Sequence, residues 1–140
     1  MASKSFTASV KAWGDKAIEQ AELVLRASAQ ELVSIAQTPE AQGGRMPVKT
    51  GFLRNSLISG LNGAMNSGGA DSYTLTIAGM KLGDTADFAW VAAYARRMEY
   101  GFTGQDSLGR NYNQSGRHFV GSAAAQWQRI VAENAAKVVA

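Results

Sequence analysis

From about Ser5 to Gln37 the chain keeps one helical period without a break. Val10, Trp13, Ala17, Ala21, Val24, Ser28 and Ile35 fall close to one stripe, which Ile18, Leu25 and Leu32 widen. Ser5 or Thr7 can supply the N-cap oxygen. Thr38-Pro39 ends the helix, because the residue before a proline disfavours the α region. At 1.5 Å per residue, about 30 residues make a rod of roughly 45 Å. A small domain is narrower than that, so part of the rod is expected to project or to pack on a neighbour. Gly14, beside Trp13, costs about 1 kcal/mol against alanine in a helix interior and marks a bend or a close contact.

A Gly-rich break (Gln42-Gly43-Gly44) follows, and then the stretch Met46 to Leu57, MPVKTGFLRNSL. Pro47 fixes its own φ and biases Met46 toward an extended backbone. Thr50-Gly51 supplies a turn: Thr50 can bond to the local backbone and Gly51 is free to take a positive φ. Leu53 and Leu57 lie four apart, which predicts one helical turn leading into a strand, anchored by the two leucines. Arg45, Lys49 and Arg54, with no acid among them, make the segment a basic hook.

Beyond the hook, Ser56–Leu61 reads as a strand. Residues 62–72 are rich in turn signals, Asn62-Gly63 and Ser67-Gly68-Gly69. Tyr73 to Ile77 alternates apolar and threonine positions and reads as a second strand. The two strands are expected to pair as an antiparallel hairpin with residues 62–72 as a mobile tip. Asp84 or Thr85 caps a middle helix expected from about Ala86 to Tyr100, with Phe88, Val91, Ala95 and Met98 on one face and Trp90, Tyr94 and Arg97 on another. Gly101 takes the position after that helix, and Arg96 and Arg97 suit the negative end of its dipole. Residues 102–117 read as an extended, polar, Gly-punctuated loop, a length expected to be functional or to order on binding. A last helix is expected from about Phe119 to Val138, with Val120, Ala123, Ala124, Trp127, Ile130, Val131, Ala135 and Val138 on a seam of near seven-residue spacing. The expected fold class is α+β: one domain over residues 1–140, a small antiparallel sheet flanked by a long N-terminal helix, a middle helix and a C-terminal helix.

Composition removes several classes. A chain of 140 residues, 46% of them apolar, can bury a real core. It has no apolar run near 18 residues, so no transmembrane helix and no membrane partner are expected. The N-terminus lacks a continuous apolar region and carries Asp15 early, unlike a secretory signal, which points to the cytoplasm. With no cysteine, a disulfide framework and a thiolate zinc site are excluded. His118 is the only histidine; it follows Arg117 at a loop-to-helix junction and is expected to bond to backbone or a partner. No phosphate loop, dinucleotide fingerprint or HExxH is present. Asp106, Asn111 and Asn113 can place oxygens in one loop, but without EF-hand spacing. No enzyme activity and no cofactor are expected. The net charge of +3 is mild. Its excess lies downstream of residue 37, and Arg96-Arg97 between Tyr94 and Tyr100, with Arg110, Tyr112 and Arg117, interleaves bases and aromatics as single-strand binders do. Nucleic-acid binding is therefore the alternative from another class.

Three stretches together resemble a known family. Pro47-Val48-Lys49-Thr50-Gly51-x-Leu53-Arg54-x-Ser56 is similar to the hallmark of small tail-component proteins of long-tailed, lambdoid-type bacteriophages. Tyr94-Ala95-x-x-x-Glu99-Tyr100-Gly101 and Gly116-Arg117-His118-Phe119-Val120 match the same pattern, in the family's order. The resemblance implies a structural virion protein that completes the tail or joins it to the head, built in the host cytoplasm as one subunit of a ring, a hexamer if it matches the tail's symmetry. It implies as partners the adjacent head-completion or connector proteins and the tail-tube or tail-terminator proteins. Tail completion, tail termination and head closure share this architecture, and DNA passing through the ring is a further contact left open. The interface residues expected are Lys49, Thr50, Gly51, Leu53 and Arg54 in the hook, Tyr94, Arg97, Glu99, Tyr100 and Gly101 in the second stretch, and Arg117, His118 and Phe119 in the third. Glu99 is expected to pair with Arg54 or Arg117, within or between subunits.

Overall fold

The computed structural model describes residues 5–139. Helix α1 spans Phe6–Gln37, with the Ser5 hydroxyl accepting the Ala8 N–H and Thr38 closing the far end. It is followed by a 3-10 turn (Glu40–Gln42) and a short helix α2 (Phe52–Asn55). Strands β1 (Leu57–Leu61), β2 (Ala64–Gly68) and β3 (Ala86–Trp90) form an antiparallel sheet in the order β2-β1-β3, with helix α3 (Tyr73–Ala78) between β2 and β3 in sequence. Helix α4 (Ala95–Tyr100) leads into a separate hairpin of β4 (Gly101–Gln105) and β5 (Asn111–Ser115). Helices α5 (Phe119–Ala124) and α6 (Trp127–Val139) complete the chain. The expected α+β class, with its small antiparallel sheet and long first and last helices, is the observed one.

Two apolar clusters make the core. Ala29 and Val33 of α1, Leu57 of β1, and Tyr73, Ile77 and Met80 form the first. Met46, Leu53, Ala92 and Phe119 form the second. Trp90, at the end of β3, packs against both. Its indole N–H donates to the Gln37 side-chain oxygen at 2.9 Å, and the Gln37 amide donates to the carbonyls of Arg54 (3.0 Å) and Ala70 (2.9 Å). Gln37 is 2% exposed. A buried carboxamide with every group satisfied thus fastens the end of α1 to α2, to the loop after β2 and to β3.

Only the second half of α1 joins this core. Ser28, Ala29, Val33, Ala36 and Gln37 are buried, whereas Phe6, Val10 and Trp13 are 84, 50 and 74% exposed. Helix α6 runs back along α1: Ala123 of α5 lies with Leu32 and Ala36, and the Asn134 amide reaches Ser28 Oγ and Glu31 Oε2, both at 3.3 Å. The first turns of α1 therefore stand clear of the rest of the chain, as its length implied. Among the described residues, nothing outside the helix's own backbone lies within 4 Å of a Cβ placed on Gly14, so no close contact among them accounts for it.

Six expectations fail. Tyr73–Ile77 is helix α3, not a strand. Tyr73, Thr76 and Ile77 are buried while Leu75 is exposed, so the burial follows i, i+3, i+4. Five residues fit both periods, and packing of α3 on α1 and β1 decides. The hairpin partner of β1 is β2, across Asn62-Gly63, whose φ values of 55° and 88° suit a tight two-residue hairpin; residues 62–72 are thus strand and turn, not a free tip. The expected middle helix keeps only its end, α4. Residues 86–90 pair with β1 instead, a non-local contact that local pattern does not encode. Asp84 caps no helix; it accepts from Lys81 N–H and the Asn62 amide and ties the β1–β2 turn to the start of β3. Residues 102–117 are largely a hairpin rather than a loop. The single last helix is broken between α5 and α6 at Ala125-Gln126.

Candidate functional site

The hook is built as its residues dictate. Met46 is fully buried, its backbone bridged to Thr38 and Glu40 (Met46 N–H to Thr38 O 3.1 Å, Glu40 N–H to Met46 O 3.0 Å). Gly51 takes φ +81°, and the Thr50 hydroxyl accepts the Phe52 N–H at 3.4 Å. Leu53 and Leu57 are buried, and one turn of helix does lead into a strand. Arg45 and Lys49 stay exposed.

The second and third stretches fold onto each other and onto the hook. Phe119 is 2% exposed and meets Trp90 edge-on, with ring centroids 5.3 Å apart. Arg117 N–H donates to Met98 O (2.7 Å) and His118 N–H to Glu99 O (3.1 Å). Backbone approaches backbone so closely here that a Cβ on Gly116 would lie 2.5 Å from Glu99 O, and one on Gly101 2.5 Å from Gln114 O. His118 takes φ +53° to turn the chain into α5, and its imidazole is exposed.

Glu99 forms neither expected ion pair within the chain. Its two carboxylate oxygens accept the backbone N–H groups of Val120 (2.9 Å) and Gly121 (2.8 Å), the first turn of α5, and it is 7% exposed. Unpaired N–H groups at a helix start attract a carboxylate, and the Arg117–Met98 and His118–Glu99 backbone bonds bring α5 within reach. Arg54 instead donates to Gln37 O at 2.9 Å and sits 4.0 Å from Asp71, and Arg117 sits 3.6 Å from Glu40. Glu99→Ala is expected to lower stability by about 2 kcal/mol, the cost of leaving two charge-assisted hydrogen bonds unmade. Urea unfolding of the variant measures this; a loss below about 0.5 kcal/mol would show that water replaces the carboxylate without cost.

Between hook and α4 lies a largely apolar groove of about 240 Å³, lined by Pro47, Lys49, Thr50, Gly51, Phe52, Leu53, Tyr94 and Met98. The rings of Phe52 and Tyr94 are 6.1 Å apart. Phe52 is 61% exposed, and nearby Val48 and Val91 are 47 and 59% exposed. Of the residues expected at the site, Lys49, Thr50, Gly51, Leu53 and Tyr94 meet at this groove. Glu99, Gly101, Arg117, His118 and Phe119 form the junction beside it. Arg54 turns away toward Gln37, Arg97 lies over the Phe102 ring at 3.8 Å, and Tyr100 is exposed near β4. The sequence reading missed Phe52 and Met98 in the groove, and Gln37 and Trp90 behind it. Phe52 was legible as a bulky residue beside a turn glycine; Gln37 carried no signal.

The interleaved bases and aromatics do not form one strip. Arg110 pairs with Asp106 at the β4–β5 tip, Arg117 with Glu40, and Arg97 covers Phe102. Desolvation opposes ionisation of Asp106. The N–H groups of Arg110 and Leu108, the Arg110 guanidinium and the Tyr112 hydroxyl outweigh it and hold its pKa below the ordinary carboxylate value. Its oxygens are thereby occupied as a hairpin cap, and Asn113 faces Thr103 across the ladder. Among the described residues no helix is long and apolar enough to cross a membrane. Comparison of the chain with protein-family models, curated proteins and solved structures found no match.

Proposed function

We propose that this chain is a non-enzymatic structural protein of a tailed phage or prophage, a ring subunit at the head–tail joint or the head-proximal end of the tail. The observation that carries this reading is the interlocking of the three resembling stretches. Met46–Leu57, Tyr94–Gly101 and Gly116–Val120 lie far apart in sequence, yet all three contribute to one apolar cluster, and backbone bonds join the second to the third. Glu99, Gly101 and Gly116 are absorbed in building the junction beside an apolar groove, a construction suited to binding protein rather than to turning over a substrate. The surplus apolar surface on α1 supports the same reading, since exposed patches of this kind mark association sites.

Size exclusion with light scattering over a concentration series tests the reading. A discrete ring-sized species is the expected result, or incorporation into a ring once head or tail components are added. A monomer at every concentration that binds neither set of components would overturn it. Tight binding to single-stranded DNA that falls steeply with salt would point to the nucleic-acid class instead.

A further inference from the structure

We propose that Asn62 is the site at which this chain deamidates spontaneously, and that Asp84 and Thr85 clamp its side chain and hold the reaction back in the folded protein. Of the asparagines, Asn62 alone precedes a glycine. Deamidation begins when the nitrogen of the following residue attacks the side-chain amide carbon, and a glycine puts no side chain in the way. Asn62 and Gly63 are exposed at the β1–β2 turn. Among the described residues beyond its chain neighbours, nothing lies within 4 Å of a Cβ placed on Gly63, so water and base reach the reacting atoms.

The reaction needs only water and base. The Gly63 amide nitrogen gives its proton to base and bonds to Asn62 Cγ. The Cγ–Nδ2 bond breaks, and Nδ2 takes up a proton and leaves as ammonia. The product is a cyclic imide, and water then adds to one of its carbonyl carbons. If the bond between Cγ and the Gly63 nitrogen opens, residue 62 becomes aspartate. If the bond between the Asn62 carbonyl carbon and that nitrogen opens, it becomes isoaspartate, with the main chain running through the former side chain.

The fold engages the atoms that this step must move. Asn62 Nδ2, the leaving group, donates to Asp84 Oδ1 at 3.1 Å, and Asn62 Oδ1 accepts the Thr85 N–H at 3.0 Å. The Asn62 N–H donates to Thr85 O at 2.7 Å, and Leu61, the residue before it, pairs with both Ala64 and Ala86. Asp84 is fixed in turn, its other carboxylate oxygen accepting the Lys81 N–H at 2.8 Å. Hydrogen bonds from the Asn62 amide and the Lys81 N–H, aided by the Lys81 charge, outweigh desolvation and hold the Asp84 carboxyl below its ordinary pKa, so the acceptor is ionised at neutral pH. Ring closure carries Cγ onto the Gly63 nitrogen and makes it tetrahedral, and a planar amide held from residues 84 and 85 must first leave those partners. Once converted, residue 62 presents a carboxylate to Asp84 in place of a donor, and the like charges repel. An isoaspartate also adds a main-chain carbon to a turn whose length sets the hairpin register. Either product loosens the tie between the β1–β2 turn and the start of β3.

Mass spectrometry of tryptic peptides, after incubation of the protein in mildly alkaline buffer, measures the rate at each site. Asn55, Asn62 and Asn66 lie in one peptide, between Arg54 and Lys81, so Asn55 and Asn66, each before a serine, are internal references. In urea-unfolded protein Asn62 is expected to convert first of these. In the folded protein its conversion is expected to be slower than in urea. In folded Asp84→Ala it is expected to be about tenfold faster than in the folded unsubstituted chain, the change that loss of one hydrogen bond to a charged group brings. Asn55 and Asn66 should keep their rates in that variant. Thermal unfolding shows whether Asp84→Ala folds; should it not, the comparison of folded with urea-unfolded unsubstituted protein decides alone. Conversion of Asn55 or Asn66 ahead of Asn62 in urea would overturn the site. Equal rates at Asn62 in folded and urea-unfolded protein, or a rise in folded Asp84→Ala that is below about twofold or shared by Asn55 and Asn66, would overturn the clamp.

Discussion

Gln37→Ala is expected to lower the unfolding midpoint by about 10 °C. The side chain is 2% exposed and makes three hydrogen bonds that join distant segments: from Trp90 Nε1, and to the carbonyls of Arg54 and Ala70. Removing it leaves one indole N–H and two carbonyls without partners, and each unsatisfied buried group costs about 1–3 kcal/mol. Some relaxation toward water brings the total to about 3 kcal/mol, and for a chain of this size each kcal/mol moves the midpoint by about 3–4 °C. Trp90 packs against both apolar clusters, so its release loosens the groove as well as the body. Thermal unfolding followed by circular dichroism measures the shift. A change under about 3 °C would mean that the network is incidental to stability. Gln37→Glu separates the contributions, since a carboxylate still accepts from Trp90 but cannot donate to the two carbonyls.

Gly116→Ala is expected to cost about 3 kcal/mol, at the upper end of the usual range for overpacking. The added methyl would meet Glu99 O at 2.5 Å, Tyr100 C at 2.7 Å and Gly101 N at 3.0 Å, all of them backbone atoms that no rotamer change can move. The two backbones, the end of α4 and the segment after β5, must part, and with them go the Arg117–Met98 and His118–Glu99 bonds and the seating of α5 on the Glu99 carboxylate. Amide exchange at Val120 and Gly121 should rise together with the loss of global stability. Gly14→Ala is the control: the same chemical change in open helix, where no described residue beyond the helix's own backbone lies within 4 Å, should leave both unaffected or improved. Equal stability of Gly116→Ala and the unsubstituted protein would refute the close backbone packing on which the junction is built.

The two variants differ in how visible their positions were. Gly116 stood in one of the three stretches singled out in the sequence, although its cause, contact of two backbones, needed the fold. Gln37 was visible only as the last residue of a long helix. Its importance comes from Trp90, Arg54 and Ala70, which lie between 17 and 53 residues away in sequence. Glu99 shows the same limit in another form. A carboxylate between arginines suggests an ion pair, but burial favours whichever donors are brought within reach, and here those are the backbone N–H groups of α5.

What the sequence determined by itself was local. The start and stop of α1, the Thr50-Gly51 turn, the helical turn before β1 and the glycine after α4 follow from caps, proline and φ preferences that act over a few residues. The projecting half of α1 also follows, from a length of helix that exceeds the body it serves. Tertiary structure alone decided the rest. Tyr73–Ile77 is too short for its period to separate helix from strand, so packing against α1 and β1 chose. Residues 86–90 became a strand because β1 had an open edge for them. The 102–117 segment became a hairpin through ladder bonds that polar residues make as well as apolar ones. The groove belongs to that second class too: its walls come from the hook and from α4, two segments about forty residues apart that only the burial of Met46, Leu53 and Phe119 brings together.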